Sequence, residues 1–360
     1  MTHRTTRRKF LTTSAAAAAA LSQRTVFAAA PASIPQGDDA PYKLFFLQPA
    51  TQWSDSLPVG NGRLGACIFG NPAHERIQLN EDSIWDGEPR DRNNPKAAEA
   101  VPKIRELLFA GKVAEAEALA LTDLMSIPRR MPCYQTLGDL HLDFTPSGLT
   151  PEATPESYRL ELNLDTAIAS TSFTHNGSRY TREVFSSAPD QVIVIRITSS
   201  TPRKLNLTAT LDRPAHFTTT DIAPNRLTLS GEALPVNDNP GLPIKERQVG
   251  IKYYAELLAT ADPSAVVTTK DATLTVSDAT TATLFIDCAT SYRYPAGEPA
   301  MQSAVAKNLT AARARTYADL RSRHIADHQR LFRRAEISFL APGEKDPNAT
   351  IPTDKRVPAY

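Results

Sequence analysis

Between Leu137 and Ala289 the chain repeats short apolar-patterned runs separated by turn signals, and this rhythm constrains its fold more than any other feature. Leu140, Leu142 and Phe144 alternate with Asp139, His141 and Asp143, the period of two expected when one face of a strand is buried and the other wet. Ala167 to Thr174 and Arg179 to Ser186 flank His175-Asn176-Gly177-Ser178, and Asn-Gly between two such runs signals a hairpin turn. Val192-Ile193-Val194-Ile195-Arg196-Ile197 is almost unbroken apolar sequence, which predicts a strand covered on both faces. Further strands are expected near Gly65 to Phe69, Arg76 to Leu79, Leu205 to Leu211, Arg226 to Ser230, Lys252 to Leu258, Ala265 to Thr269, Thr273 to Val276 and Ala282 to Ala289. Short strands punctuated this often predict a mainly β chain, a large antiparallel sandwich.

Two stretches follow helical grammar instead. Asn94 reads as a helix cap with Pro95 at the first helical position. Val101, Ile104, Leu107 and Leu108 follow at helical spacing until Gly111, although Pro102 interrupts the run. A second helix is expected from Lys112 to about Leu124, with Val113, Ala116 and Leu119 on one stripe. Together they make an inserted helical hairpin. After the last strand, Val305, Leu309, Ala312, Leu320, Ile325, Leu331 and Phe332 recur at helical spacing, so residues 299–340 are expected as a helical linker. Arg313, Arg315, Arg321, Arg323, Arg330, Arg333 and Arg334 crowd this segment. Asp319 and Asp327 interrupt them, so a solvated helix face is the expectation.

The first residues read as an address. Thr6-Arg7-Arg8-Lys9-Phe10-Leu11 is a twin-arginine pattern, an Ala-rich run follows, and Ala28 to Ala32 offers small-residue cleavage sites. Residues 1–32 are therefore expected to be a signal peptide that exports the folded protein to the periplasm or beyond, with no membrane association after cleavage. Residues 341–360, rich in Pro and Asp, are expected to begin a connection to a further domain. A net charge of +1 leaves no electrostatic footprint for nucleic acid. Cys67, Cys133 and Cys288 are odd in number and widely spaced, so neither a disulfide framework nor a zinc site is expected. Cys67 and Cys288 sit in apolar runs and read as buried, inert thiols.

Chemistry-bearing residues concentrate in Leu57 to Gly87. Gly60-Asn61-Gly62-Arg63-Leu64-Gly65 fits G-x-G-x-x-G, but a dinucleotide site needs a helix opening at the loop. Here the loop opens onto Ala66-Cys67-Ile68-Phe69, which Gly70-Asn71-Pro72 stops, so no nucleotide site is expected. Glu81 and Asp82 are adjacent carboxylates. In an extended segment neighbours point to opposite faces, so they are not expected to act as a pair. Asp82 and Asp86 read as loop-forming acids. Trp53 and Trp85 each stand beside polar residues and are either core or an aromatic surface for sugar or another domain. His74-Glu75 lacks the second His of a zinc-protease motif, and His141 reads as exposed. No complete catalytic set is found, and no cofactor or metal is expected.

Five blocks, taken in order, resemble the N-terminal domain of glycoside hydrolase family 95, the inverting α-L-fucosidases: LPVGNGRLGACIFG (57–70), HERIQLNEDSIWDGEPRDRNNP (74–95), RELLFAGKVAEAEALA (105–120), YQTLGDLHLDF (134–144) and YTREVFSSAPDQVIVIRI (180–197). The resemblance covers about residues 42 to 340, and Cys67 and Cys133 depart from it at positions where hydrophobic residues are expected. It implies a β-super-sandwich over 40–298, the helical linker, and an α/α barrel that carries the catalytic acid and base. PTDKR at 352–356 resembles the segment that precedes the barrel. The partners it implies are that barrel and, through it, a fucosylated glycan. Asn61, Arg63, Asn80 and Trp85 are the residues expected to face the substrate or the barrel. A stand-alone carbohydrate-binding module is the competing expectation.

Overall fold

The computed structural model describes residues 42–87, 91–127, 129, 132–150, 155–234, 249–337, 344 and 346–356. The expected signal peptide lies outside the described residues. The chain divides into two compact units, Tyr42–Gly343 with Ile351–Tyr360, and Met1–Pro41 with Glu344–Thr350. In the second, the Asn348 amide donates to Asp346 Oδ1 at 2.8 Å in a tight turn. The strands and the candidate site belong to the first.

Among the described residues the strands form two antiparallel sheets. The larger runs in the order β1 (Lys43–Phe46), β6 (Glu156–Asn163), β7 (Ile168–His175), β8 (Ser178–Ser187), β9 (Val192–Ser199), β16 (Thr281–Thr290), β13 (Lys252–Ala261), β12 (Arg226–Glu232) and β11 (Phe217–Ala223). The smaller runs in the order β14 (Val266–Lys270), β15 (Thr273–Ala279), β10 (Leu205–Asp212), β5 (Gly138–Asp143), β4 (His74–Glu81), β3 (Leu64–Ile68) and β2 (Leu57–Gly60). The mainly β antiparallel sandwich expected from the alternation is what forms.

Strand β9 shows how sequence sets layer position. Ile193, Ile195 and Ile197 enter the core between the sheets, with Leu207, Ala209, Leu257 and Leu284. Val192 and Val194 point the other way, into a second apolar cluster with Phe185, Leu258 and Phe285. Both faces are covered, so the strand needs no polar face. Strand β5 has one wet face, and Leu140 and Leu142 are buried while Asp139 and His141 are not. The Asn-Gly signal makes the β7–β8 hairpin, with Asn176 and Gly177 both at positive φ, 49° and 72°.

The helices depart in detail from expectation. Helix α1 (Ala97–Phe109) begins after Lys96, not at Asn94. Asn94 is buried and clasps the hairpin instead. Its Nδ2 donates to Thr122 O at 3.1 Å and Met125 O at 3.0 Å, and its Oδ1 accepts from the Lys96 amide. Pro102 lies inside α1 without ending it. Helix α2 (Val113–Leu119) passes into a wider π turn over Ala120–Leu124. Ala100, Ile104 and Ala116 form the hairpin's own small core.

The segment expected as a helical linker starts at Glu298 and packs on the larger sheet. Met301, Val305 and Leu309 of helix α3 (Glu298–Arg313) and Leu320 of helix α4 (Tyr317–Phe332) close the second apolar cluster over β9 and β16. Thr316 separates the helices by accepting from the Asp319 amide, a hydroxyl N-cap. The arginine run is less solvated than its sequence suggests. Arg315 and Arg323 lie 3.5 and 3.1 Å from Asp190, Arg321 is 3.6 Å from Glu183, and Arg333 is 2.7 Å from Asp165. Those acids belong to the sheet and its loops, so the positive charge holds helix to sheet. Helix α5 (Thr353–Arg356), within the PTDKR stretch, returns to β1, where the Phe45 amide donates to Thr353 Oγ1 at 2.9 Å.

Candidate functional site

The β2–β3 turn is built from Asn61. Its Oδ1 accepts from the Arg63 and Leu64 amides at 3.0 and 2.8 Å, and Gly62 takes a φ of +89° that a side chain would resist. This is a strand-to-strand turn, so the glycine pattern serves a hairpin and not a phosphate loop. Asn61 Nδ2 then donates across the sandwich to Ser187 O at 3.1 Å. Arg63 makes the same crossing. Its guanidinium reaches Asp287 Oδ1 at 2.6 Å, Gln191 Oε1 at 2.8 Å and Cys288 O. Asn308 of α3 donates to the other oxygen of Asp287 at 2.9 Å. Burial pushes the Asp287 carboxyl up from its usual range, and Arg63 and Asn308 oppose that shift.

At the end of β4 the chain turns, and the two adjacent acids converge instead of parting. The Asp82 amide donates to Arg63 O at 3.0 Å. Arg293 binds both Asp82 oxygens, at 2.8 and 2.7 Å, and its Nε lies 3.4 Å from Glu81 Oε1. The expectation of opposite faces fails because Asp82 lies in a turn and not in the strand. Glu81 is fully buried, and its Oε2 accepts from the Ser83 amide at 2.8 Å and hydroxyl at 2.6 Å. Burial raises the Glu81 carboxyl above its usual range, opposed mainly by Ser83. A carboxyl so enclosed reaches no substrate.

Trp85 and Tyr134 stand edge to face with centroids 5.5 Å apart, and both are exposed. Trp85 Nε1 donates to Asp82 O at 3.0 Å. The Tyr134 hydroxyl donates to Asn80 Oδ1 at 3.0 Å and Glu81 O at 3.2 Å. Burial pushes that phenol up to about 12, with Glu81 and Asp82 adding to the shift. Asp86 holds this wall in place through the Cys133 amide and the backbone pairing of Asp86 with Gly250.

Asn80 and Trp85 thus meet through Tyr134 at an exposed aromatic corner, flanked by the Asp82–Arg293 pair. Asn61 and Arg63 adjoin that corner through the Asp82 amide, with their side chains spent on contacts between the sheets. Trp53 is exposed in a short turn apart from this group. An aromatic face beside an amide and a charged pair is suited to stacking on a sugar ring and hydrogen-bonding its hydroxyls. Tyr134 and Arg293 escaped the sequence reading. Tyr134 had only its place in the 134–144 block, and Arg293 lies 211 residues from Asp82 with no local mark.

With this geometry in place, the chain falls among the N-terminal domains of glycoside hydrolases. Residues 44–295 match the family described as "Glycosyl hydrolase family 65, N-terminal domain", and the chain belongs to it. The curated relatives that it resembles are named as fucosidases. "Alpha-L-fucosidase 2" of Arabidopsis thaliana is 33% identical over 316 residues, which is 82% of this chain and 36% of that protein. "Probable alpha-fucosidase A" of Aspergillus niger is 26% identical over 351 residues, 88% of this chain and 40% of that protein. The protein of the same description from Aspergillus oryzae is 27% identical over 175 residues, 46% of this chain and 22% of that protein. The chain therefore spans less than half the length of these relatives.

Proposed function

We propose that this chain is the β-sandwich portion of an exported α-L-fucosidase of family 95 type, which hydrolyses terminal fucosyl linkages with inversion. In this reading the chain itself is not catalytic. Asn80, Trp85 and Tyr134, with the Asn61–Arg63 turn behind them, present the face that meets the catalytic domain and its glycan. The observation that carries the reading is the 33% identity over 316 residues to a protein named as an α-L-fucosidase. The Arg7-Arg8 pattern and the Ala-rich run after it support export.

A chimera tests this. Residues 42–337 replace the matching region of the Arabidopsis protein, and release of fucose from an aryl α-L-fucoside is measured beside the unaltered chain. The chimera is expected to hydrolyse the fucoside and the chain alone to be inert. A folded but inactive chimera, or fucose released by the chain alone, would defeat the proposal. The exposure of Trp85 and Tyr134 favours a second reading, a carbohydrate-binding module. Saturable heat on titrating fucosylated oligosaccharides into the chain would select it.

A further inference from the structure

Outside that corner, one group of side chains on the wet face of the smaller sheet has the makings of a ligand set. Asp139 and His141 are two residues apart on β5 and so share a face. Asp212 is the cross-strand partner of Asp139 on β10. One ligand atom from each of the three lies within 4.8 Å of the others, and His141 Nε2 is 3.1 Å from Asp212 Oδ1. Two ligands bound to one metal at about 2.1 Å each stand roughly 3.0 to 3.4 Å apart, for angles between octahedral and tetrahedral. The His141–Asp212 distance already fits that spacing.

A second, independent observation concerns Asp139. Arg76 of β4 holds Asp139 Oδ2 at 2.9 Å, and the Arg76 guanidinium is itself held 5.0 Å over the Phe69 ring. The other oxygen, Oδ1, is shielded from solvent and has no hydrogen-bond partner. A shielded carboxylate oxygen without a donor or cation is costly to maintain. Two carboxylates against one guanidinium leave the group net negative.

We propose that Asp139, His141 and Asp212 form a binding site for a first-row divalent cation, with Zn²⁺ as the preferred occupant. One imidazole and two carboxylates suit Zn²⁺ or Mn²⁺ better than the all-oxygen cations Mg²⁺ and Ca²⁺. On binding, His141 exchanges its hydrogen bond to Asp212 for a bond from Nε2 to the metal, and its ring proton resides on Nδ1. The cation ties β5 to β10 and offsets the net negative charge of the two carboxylates. Its part is structural, and the sequence shows no metal motif because two of the ligands are separated from the third by about seventy positions.

The test is calorimetric titration of ZnCl2, and separately MgCl2, into the chelator-stripped chain, with Co²⁺ visible absorption as a spectroscopic check. Three variants accompany it: His141→Ala, Asp212→Asn, and His175→Ala on the other sheet as a control. The proposal expects one saturable Zn²⁺ site, a raised Tm with Zn²⁺ and not with Mg²⁺, and intense d–d bands with Co²⁺. His141→Ala and Asp212→Asn are each expected to weaken Zn²⁺ binding at least tenfold, and His175→Ala to leave it unchanged. All three positions are partly solvent-facing, and far-UV circular dichroism establishes that each variant is folded. An absence of saturable binding to the chain, or retention of full affinity in the folded His141→Ala and Asp212→Asn variants, overturns the proposal.

Discussion

Arg63 and Asp287 meet at 2.6 Å with side chains 14% and 1% exposed, and through them the β2–β3 turn of one sheet is tied to the interior strand β16 of the other. Breaking such a pair leaves a buried charge without its partner, a cost of about 3 to 5 kcal/mol. Arg63→Ala is expected to lower stability by that order in urea unfolding. The double variant Arg63→Met with Asp287→Leu is expected to lose much less, because no charge is stranded. A double variant as unstable as the single one would show that the pair's contribution is not electrostatic.

Trp53 and Leu284 separate surface from packing. Trp53 is 63% exposed and meets no core, whereas Leu284 is fully buried between the sheets. Trp53→Ala is expected to change stability by under about 0.5 kcal/mol and Leu284→Ala to cost about 2 to 5 kcal/mol. Equal urea midpoints for the two variants would contradict the assignment of the core.

His324 lies on the buried face of α4, stacked 4.7 Å from the Phe185 ring, with Nε2 2.9 Å from Thr166 O. Burial lowers its pKa below the ordinary histidine value, and the carbonyls of Ala167 and Thr166 only partly offset this. A histidine kept neutral in the folded state contributes full stability above its unfolded pKa of about 6.5 and loses it as pH falls below that value. Stability is therefore expected to drop between pH 7.5 and 5.5. His324→Gln keeps a donor and removes the titration, so its midpoint should shift less over the same interval. Equal shifts in both proteins would refute the assignment.

The sandwich was legible because its signal is local. Alternation in β5, the apolar run of β9 and Asn176-Gly177 each carry their outcome within a few residues. Strand β11 was not legible, since Phe217–Ala223 is mostly exposed and has no apolar face to reveal it at the sheet edge. Asn94 misled for a related reason. Asn caps helices and also clasps loops, and only the distant carbonyls of Thr122 and Met125 decide between them. At the site, Asn61, Gly62, Arg63, Asn80 and Trp85 fall within one short stretch of sequence, while Arg293, which fixes Glu81 and Asp82 together, is a long-range partner with no pattern of its own.

The three thiols occupy three environments, and their chemistry should follow. Cys133 is exposed and Cys67 is partly buried, a correction to the expectation of a buried Cys67. Burial raises the Cys67 pKa, opposed by Ser56 and Trp53, and raises Cys288, fully enclosed, well above the usual thiol value. Since the thiolate is the reactive form, a disulfide reagent at pH 8 is expected to label Cys133 first, Cys67 slowly and Cys288 only after unfolding. Cys133→Ser should remove the fast phase. A fast phase that survives in that variant would be incompatible with these environments.

Gly138 begins β5 at a φ of +145°, and a Cβ there would lie 2.3 Å from Asp212 O on the adjoining strand β10. Backbone atoms cannot yield as a flexible side chain does, so Gly138→Ala is expected to cost more than a conformational penalty alone. Gly177 also has positive φ, at +72°, but a Cβ there would meet nothing within 4 Å. Gly177→Ala should thus cost only the left-handed penalty, about 1 to 2 kcal/mol. The comparison isolates the close approach of β5 to β10 from backbone conformation alone. If chemical denaturation ranks Gly177→Ala as the more damaging change, the register that sets Asp139 against Asp212 is wrong.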